Sequence, residues 1–149
     1  MSECATSGWL DGKRHHYPLR VYYAETDAGG VVYHAAYLVF AERARTEMMR
    51  LLNIDHVALH TTQGLLFAVR SCEIDFLRSA RLDDALVVCS ELVHLGGASL
   101  QLVQSVRRGE EELARLTVRL VCMHMAGIAT RIPAAVRDKL KNFLTQEAD

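Results

Sequence analysis

The 149-residue chain has little that would tie it to a membrane, to nucleic acid or to a metal ion. Charged residues interrupt its apolar runs well before the roughly 20 residues that a membrane-spanning helix needs. Its 17 basic and 18 acidic residues are spread along the chain, so no basic face indicates a nucleic-acid partner. Repeats and low-complexity segments are also lacking. Half of the residues are hydrophobic, which is typical of one globular domain with a sizeable core.

The cysteines form no Cys-x-x-Cys pair, because Cys4, Cys72, Cys89 and Cys122 lie far apart. Cys122 and His124 supply only half of a zinc site, so no metal is predicted. Three of the cysteines fall in predicted strands, where buried free thiols are the natural interpretation. Free thiols are typical of the reducing cytoplasm, and we therefore predict a cytoplasmic protein.

The first 16 residues are mostly polar and lack the apolar core of a secretory signal. We predict that residues 1–16 are a flexible N-terminal arm. Residues 17–149 are then expected to form one domain.

Apolar periodicity predicts one long helix and a series of strands. A first strand is expected over 18–24, where aromatic and β-branched residues cluster. From Ala35 to Leu52 apolar residues recur at helical spacing over so wide an arc that the helix should be enclosed on most sides. A short helix or loop at 54–62, strands at roughly 65–77, 84–95, 98–107 and 112–125, and a final helix opened by Pro133 complete the prediction.

One long helix cannot bury itself, but a curved antiparallel sheet of about five strands can wrap around it. This combination is an α+β fold of the hot-dog type. The open edge of such a sheet favours pairing between subunits, so the pattern predicts a homo-oligomer, either a dimer or a tetramer.

The segment Tyr22–His34 carries the most chemical information, because it places a carboxylate, two glycines and an imidazole just before the long helix. The first backbone N–H groups of a helix have no intrahelical partner and carry partial positive charge, so they can hold a carbonyl oxygen. Asp27 beside them could attack that carbonyl or activate water against it. The segment therefore predicts acyl hydrolysis.

Three stretches of the chain also resemble a known family. They read YYAETDAGGVVYHAAYLVFAERARTEMMR (22–50), FAVRSCEIDFLRSARLDD (67–84) and LGGASLQLVQSVRRG (95–109). They are similar to the 4-hydroxybenzoyl-CoA thioesterase family of hot-dog enzymes. Within that family, the resemblance points to the acyl-CoA thioesterases associated with the Tol-Pal cell-envelope system of Gram-negative bacteria. It covers about residues 18–145.

The resemblance implies that Asp27 is the catalytic carboxylate. His34 is a second candidate catalytic residue, whose ring could orient substrate or water; the alternative is a residue that only begins the helix. The backbone N–H near His34 would polarise the thioester carbonyl, and Gly30, Val31 and Tyr33 would form the loop around the oxyanion and substrate. Asp27 also has a structural alternative, because Asp often accepts hydrogen bonds from backbone N–H groups in a turn.

Ala36 departs from the family pattern, which usually has Asn at this position, and this could alter hydrogen bonding near the helix start. Glu42 and Glu47 are the helix carboxylates that some other hot-dog enzymes would use, although ion pairs with nearby arginines explain them more simply.

Three arginines, Arg70, Arg78 and Arg81, are candidate contacts for the phosphates of coenzyme A, since guanidinium groups match phosphate oxygens; structural roles are the alternative.

The predicted function is hydrolysis of the thioester of acyl-CoA, or of acyl carrier protein, to a free acid and a thiol. No metal or redox cofactor is required, because fixed dipoles can polarise the carbonyl. Two alternatives remain open: an enoyl-CoA hydratase or dehydratase on the same fold, and a non-catalytic partner of an acyl carrier or of a cell-envelope complex.

Overall fold

The described residues form six antiparallel strands: β1 (Trp9–Asp11), β2 (Arg14–Arg20), β3 (Leu65–Phe76), β4 (Ala85–Leu95), β5 (Ser99–Arg108) and β6 (Glu111–His124). They make one sheet in the order β1-β2-β4-β5-β6-β3. The helices are α1 (Ala36–Leu51), α2 (His56–Ala58), which continues into a π-helical turn at Leu59–Gln63, and α3 (Ala134–Phe143). The computed structural model describes residues 6–145.

Helix α1 lies against the buried face of the sheet. Phe40, Ala44 and Met48 recur every four residues, and each is at most 1% exposed. Strand β5 meets the helix with Leu102 and Gln104, which alternate with less buried neighbours. The predicted long helix packed on an antiparallel sheet is confirmed, as are the four later strands and the final helix.

The N-terminal prediction is wrong for residues 9–16. Strands β1 and β2 form a hairpin, and β2 pairs with β4 along the edge of the sheet. His15 is fully buried, with Nε2 2.7 Å from the Ser7 carbonyl oxygen. Gly8 has φ +76°, and a Cβ there would lie 1.9 Å from the His16 carbonyl oxygen, so this close approach requires glycine. Residues 1–5 of the predicted arm lie outside the described residues.

The first strand also lies earlier than predicted. It runs over Arg14–Arg20 rather than 18–24, and a 3-10 turn at Tyr23–Glu25 follows it. Together with the short strand Trp9–Asp11, it raises the strand number to six, where about five were expected. Backbone pairing with the edge of β4 explains why a polar segment becomes a strand. Within residues 6–145, no helix is long and apolar enough to cross a membrane.

Candidate active site

Asp27 lies in a tight loop that returns on itself just before α1. Thr26 and Val32 form an antiparallel bridge, and the Asp27 N–H donates to the Val31 carbonyl over 2.9 Å. The carboxylate oxygen Oδ1 of Asp27 accepts hydrogen bonds from the N–H groups of Gly29 at 2.8 Å and Val31 at 3.4 Å. Gly30 supplies the φ of +79° that reverses the chain.

These bonds show that Asp27 does cap its own turn, which was the structural alternative. However, they use only Oδ1. The other carboxylate oxygen, Oδ2, accepts no hydrogen bond from residues 6–145, and the side chain is exposed. One oxygen is therefore held by the turn while the second remains available for chemistry. The catalytic role of Asp27 stays a prediction.

The start of α1 leaves backbone donors free. The Tyr33 N–H donates to the Glu25 carbonyl, and the Ala36 N–H donates to the Tyr33 carbonyl, both at 2.8 Å. In contrast, the N–H groups of His34 and Ala35 have no acceptor within the described part of the chain, and no side chain caps the helix. Two unpaired donors thus lie at the positive end of the helix dipole.

A cavity of about 230 Å³ opens beside these donors. Val32, His34, Tyr37, Phe76, Leu77, Arg78 and Ser79 line it. The Tyr37 hydroxyl accepts a 3.1 Å bond from the Ala80 N–H, which holds the segment after β3 against the helix. We call this space the near cavity. Asp27 is not part of its lining.

The residues predicted to form the substrate loop occupy different positions near the start of α1. Gly30 and Val31 form the loop tip, and Val31 pairs with Arg81 through an isolated bridge. Tyr33 is half exposed, and its ring centroid lies 4.4 Å from that of His34. The His34 ring also meets Phe76 edge-on at 6.3 Å. His34 is thus placed by aromatic contacts at the mouth of the near cavity.

The three predicted coenzyme A arginines lie in two places. Arg78 lines the near cavity, and its Nε lies 3.6 Å from the Glu111 carboxylate; Arg81 pairs with Val31 of the Asp27 loop. Arg70 is the extra residue of a β-bulge in β3, between Val69 and Ser71. It lies about 20 Å along the strand from Phe76, and contact of the three arginines with coenzyme A stays a prediction.

The two carboxylates of α1, Glu42 and Glu47, have different surroundings. Glu47 accepts a 2.8 Å bond from the Ser7 hydroxyl and pairs with Arg50 at 2.8 Å, as the ion-pair interpretation predicts. Glu42 is exposed and lies on the wall of a second cavity. Ala36, which replaces the family Asn, is buried in the core at 8% exposure.

Arg45 is not among the site residues that the sequence predicts. Its guanidinium is partly buried and donates to the side chain of Gln104, which is 0% exposed. One signal was present in the sequence, because Gln104 interrupts the inward-facing apolar positions Leu100, Leu102 and Val106 of a predicted strand. A polar side chain in such a position requires a buried partner.

Comparison with known proteins identifies the family. A family model described as the Thioesterase superfamily matches residues 29–115. The protein named acyl-CoA thioesterase YbgC from Haemophilus influenzae is 45% identical over 109 residues, which cover 73% of this chain and 80% of that protein. The acyl-CoA thioester hydrolase YbgC of Escherichia coli O6:H1 is 43% identical over 108 residues, covering 72% and 80% respectively.

Solved structures with a similar fold support the same family. A probable thioesterase from Bartonella henselae has a TM-score of 0.78 at 36% identity and covers 80% of this chain and 99% of its own. A hypothetical protein from Thermus thermophilus has a TM-score of 0.83 at 27% identity, covering 89% and 99%. These matches confirm the predicted hot-dog fold and thioester hydrolase class. The chain belongs to the thioesterase superfamily.

Proposed function

We propose that this protein hydrolyses acyl-CoA thioesters to a free acid and coenzyme A. The observation that carries the proposal is the pair of N–H groups at His34 and Ala35, which have no acceptor within residues 6–145 and follow the Asp27 loop at the edge of the near cavity. The relatives named acyl-CoA thioesterases support the substrate class. Acyl carrier protein presents a similar thioester arm and is the alternative carrier.

The substrate carbonyl oxygen accepts hydrogen bonds from the His34 and Ala35 N–H groups. As the carbonyl carbon becomes tetrahedral, negative charge develops on this oxygen, where the helix dipole also stabilises it. Removing one donor of this kind typically costs about 10²- to 10³-fold in rate. The His34 ring, held by Tyr33 and Phe76, orients the acyl group at the cavity mouth.

Asp27 Oδ2 acts on the carbonyl carbon while Oδ1 stays bound to the turn. In one route Oδ2 forms a bond to the carbon and the C–S bond breaks; the thiolate leaves and takes a proton, and water then cleaves the mixed anhydride. In the other, Asp27 takes a proton from water as the water attacks. A single turnover in ¹⁸O-water labels the Asp27 carboxylate only by the first route.

The phosphates of coenzyme A contact Arg78 and Arg81, which lie on the near cavity and the Asp27 loop. Arg70 reaches the same ligand only from a second protomer. Strand β3 offers a place for that protomer, because it is 12 residues long and, among the strands of residues 6–145, pairs with β6 alone. We expect a homodimer through this edge, and a tetramer as its larger form. Sedimentation velocity giving the monomer mass of 16.7 kDa would contradict this.

Location and cellular partners stay predictions. A cytoplasmic location rests on the free thiols, and an association with the Tol-Pal system rests on the resemblance alone. Neither is needed for the hydrolysis proposed above.

Release of free thiol from a series of acyl-CoAs tests the function. We expect thiol release well above the uncatalysed rate, with a clear dependence on acyl length, measured with a thiol-reactive dye. Crotonyl-CoA serves as the control, because a hydratase would convert it to a hydroxyacyl-CoA without releasing thiol. Absence of thiol release from every acyl-CoA would refute the proposal.

A further inference from the structure

A second cavity lies between α1 and β3, at the opposite end of the helix from the near cavity. It has a volume of about 240 Å³, and its lining includes Glu42, Arg45, Met49, Phe67, Val69 and Leu120. We call it the far cavity. Both cavities lie between the same helix and the same edge strand, since Tyr37 and Phe76 line the near cavity while Arg45 and Phe67 line the far one.

Residues on one side of α1 lead from one cavity to the other. Ala35, Leu38, Glu42, Arg45 and Met49 are spaced by three or four residues and therefore share one side of α1. On β3, the residues paired with buried positions of β6 include Val69, Ile74 and Phe76. Leu38 is 44% exposed, Val69 is 52% and Phe76 is 51%, so the helix leaves this apolar surface partly open.

Arg45 is held on one side by a rigid buried amide. Its Nη1 donates to Gln104 Oε1 over 3.1 Å. The Gln104 Nε2 donates to the Ala41 carbonyl at 3.0 Å and to the Ser90 hydroxyl at 2.9 Å. Both donor positions of the Gln104 amide are thus used, which fixes its oxygen toward Arg45.

The remaining donors of Arg45 have no protein acceptor. Within residues 6–145, the bond to Gln104 is the only hydrogen bond of this guanidinium, and no carboxylate lies within salt-bridge distance of it. Burial lowers the pKa of Arg45, and the charge of Glu42 opposes that effect. A partly buried cation is costly unless an anion pairs with it, so the far cavity favours an anionic group.

The distance along α1 from the helix start to Arg45 sets the length of an acyl chain that could reach the far cavity. Ala35 and Arg45 are ten positions apart, a rise of about 15 Å, and the Arg45 side chain leans back toward the helix start, which shortens the gap by a few Å. An extended acyl chain of about ten carbons, roughly 11 Å from its first to its last carbon, therefore reaches the Arg45 guanidinium. An acyl chain bound to the His34 and Ala35 N–H groups thus ends at Arg45. Glu42 is exposed to water, which screens its repulsion of an anion there.

We propose that the far cavity binds a carboxylate at the end of the acyl chain, so that the preferred substrates are CoA thioesters of dicarboxylic acids of about ten carbons. This specificity rests on the proposed thioesterase function. Arg45 supplies the charged donors that recognise the terminal carboxylate, and Gln104 positions Arg45.

Decanedioyl-CoA and decanoyl-CoA differ only at the far end of the chain and therefore test the proposal. We expect the wild-type protein to show a kcat/KM about tenfold or more higher for decanedioyl-CoA, chiefly through KM. Succinyl-CoA should gain nothing over butyryl-CoA, because its carboxylate is too short to reach Arg45.

Arg45→Met should abolish the preference, so that kcat/KM for decanedioyl-CoA falls about tenfold or more, to the level of decanoyl-CoA. The matched control is Arg43→Met, which removes an exposed arginine of the same helix and should keep the preference. Thermal unfolding monitors the fold of each variant. If Arg45→Met is unstable, Arg45→Lys serves as the second variant, because it retains a charge. Arg45→Lys should keep part of the preference for decanedioyl-CoA.

Two failures are distinguishable. If the wild type hydrolyses decanoyl-CoA at least as well as decanedioyl-CoA, this inference is overturned and the thioesterase function stands. If neither thioester nor any shorter acyl-CoA is hydrolysed, the proposed function itself fails. A preference that survives in Arg45→Met would also overturn the role of Arg45.

Discussion

Asp27→Asn is expected to lower kcat for acyl-CoA hydrolysis by about 10²- to 10⁴-fold. The amide oxygen of Asn can accept the same bonds from the N–H groups of Gly29 and Val31, so the turn should persist. The replaced oxygen becomes an NH₂ group, which can neither attack a carbonyl nor take a proton from water. The effect should therefore fall on kcat, with KM nearly unchanged.

Steady-state thiol release from the best acyl-CoA measures this effect, and circular dichroism checks the fold. Asp83→Asn is the matched control. Asp83 is also an exposed turn carboxylate, and its φ of +72° is one that Asn tolerates. It should keep wild-type activity. Full activity in Asp27→Asn would remove the carboxylate from the mechanism.

Phe40→Ala is expected to lower the free energy of unfolding by about 3–5 kcal/mol. Phe40 is 1% exposed on the buried side of α1, and its ring meets Tyr37 edge-on at 6.0 Å. Truncation leaves a cavity beneath the helix whose first N–H groups hold the proposed oxyanion. Chemical denaturation followed by circular dichroism at fixed protein concentration measures the loss.

The neighbouring substitution Val39→Ala provides the control, because Val39 is 48% exposed on the same helix. We expect it to cost less than about 1 kcal/mol. Equal effects of the two substitutions would contradict the packing of α1 described here.

Local patterns predicted the helix and the later strands because each pattern is carried by consecutive residues. Strand β6 alternates so regularly that one face is apolar whatever lies beside it. Strand β2 is different, because Arg14, His15 and His16 have little strand signal of their own. Their pairing with the edge of β4 forms the strand, and that partner is some 70 residues away in the chain.

The candidate site also combines features carried by consecutive residues with features that depend on distant partners. Asp27, Gly30 and His34 fall within one short segment, so their spacing alone predicts a carboxylate next to a helix start. The arginines are scattered, and Arg70 lies at a bulge of β3 while Arg78 follows the end of that strand. Only the pairing of β3 with β6 reveals that bulge, since an extra residue in one strand is defined by its partner.

By itself, the amino-acid sequence determined the fold class, the family and the carboxylate turn before the long helix, because short-range periodicity and a contiguous motif carry that information. Only the tertiary structure decided that residues 9–20 complete the sheet. It also decided that, within residues 6–145, one carboxylate oxygen of Asp27 accepts no hydrogen bond and no carboxylate lies within salt-bridge distance of Arg45. Those properties depend on which distant backbone and side-chain groups meet, and on the water that their contact removes.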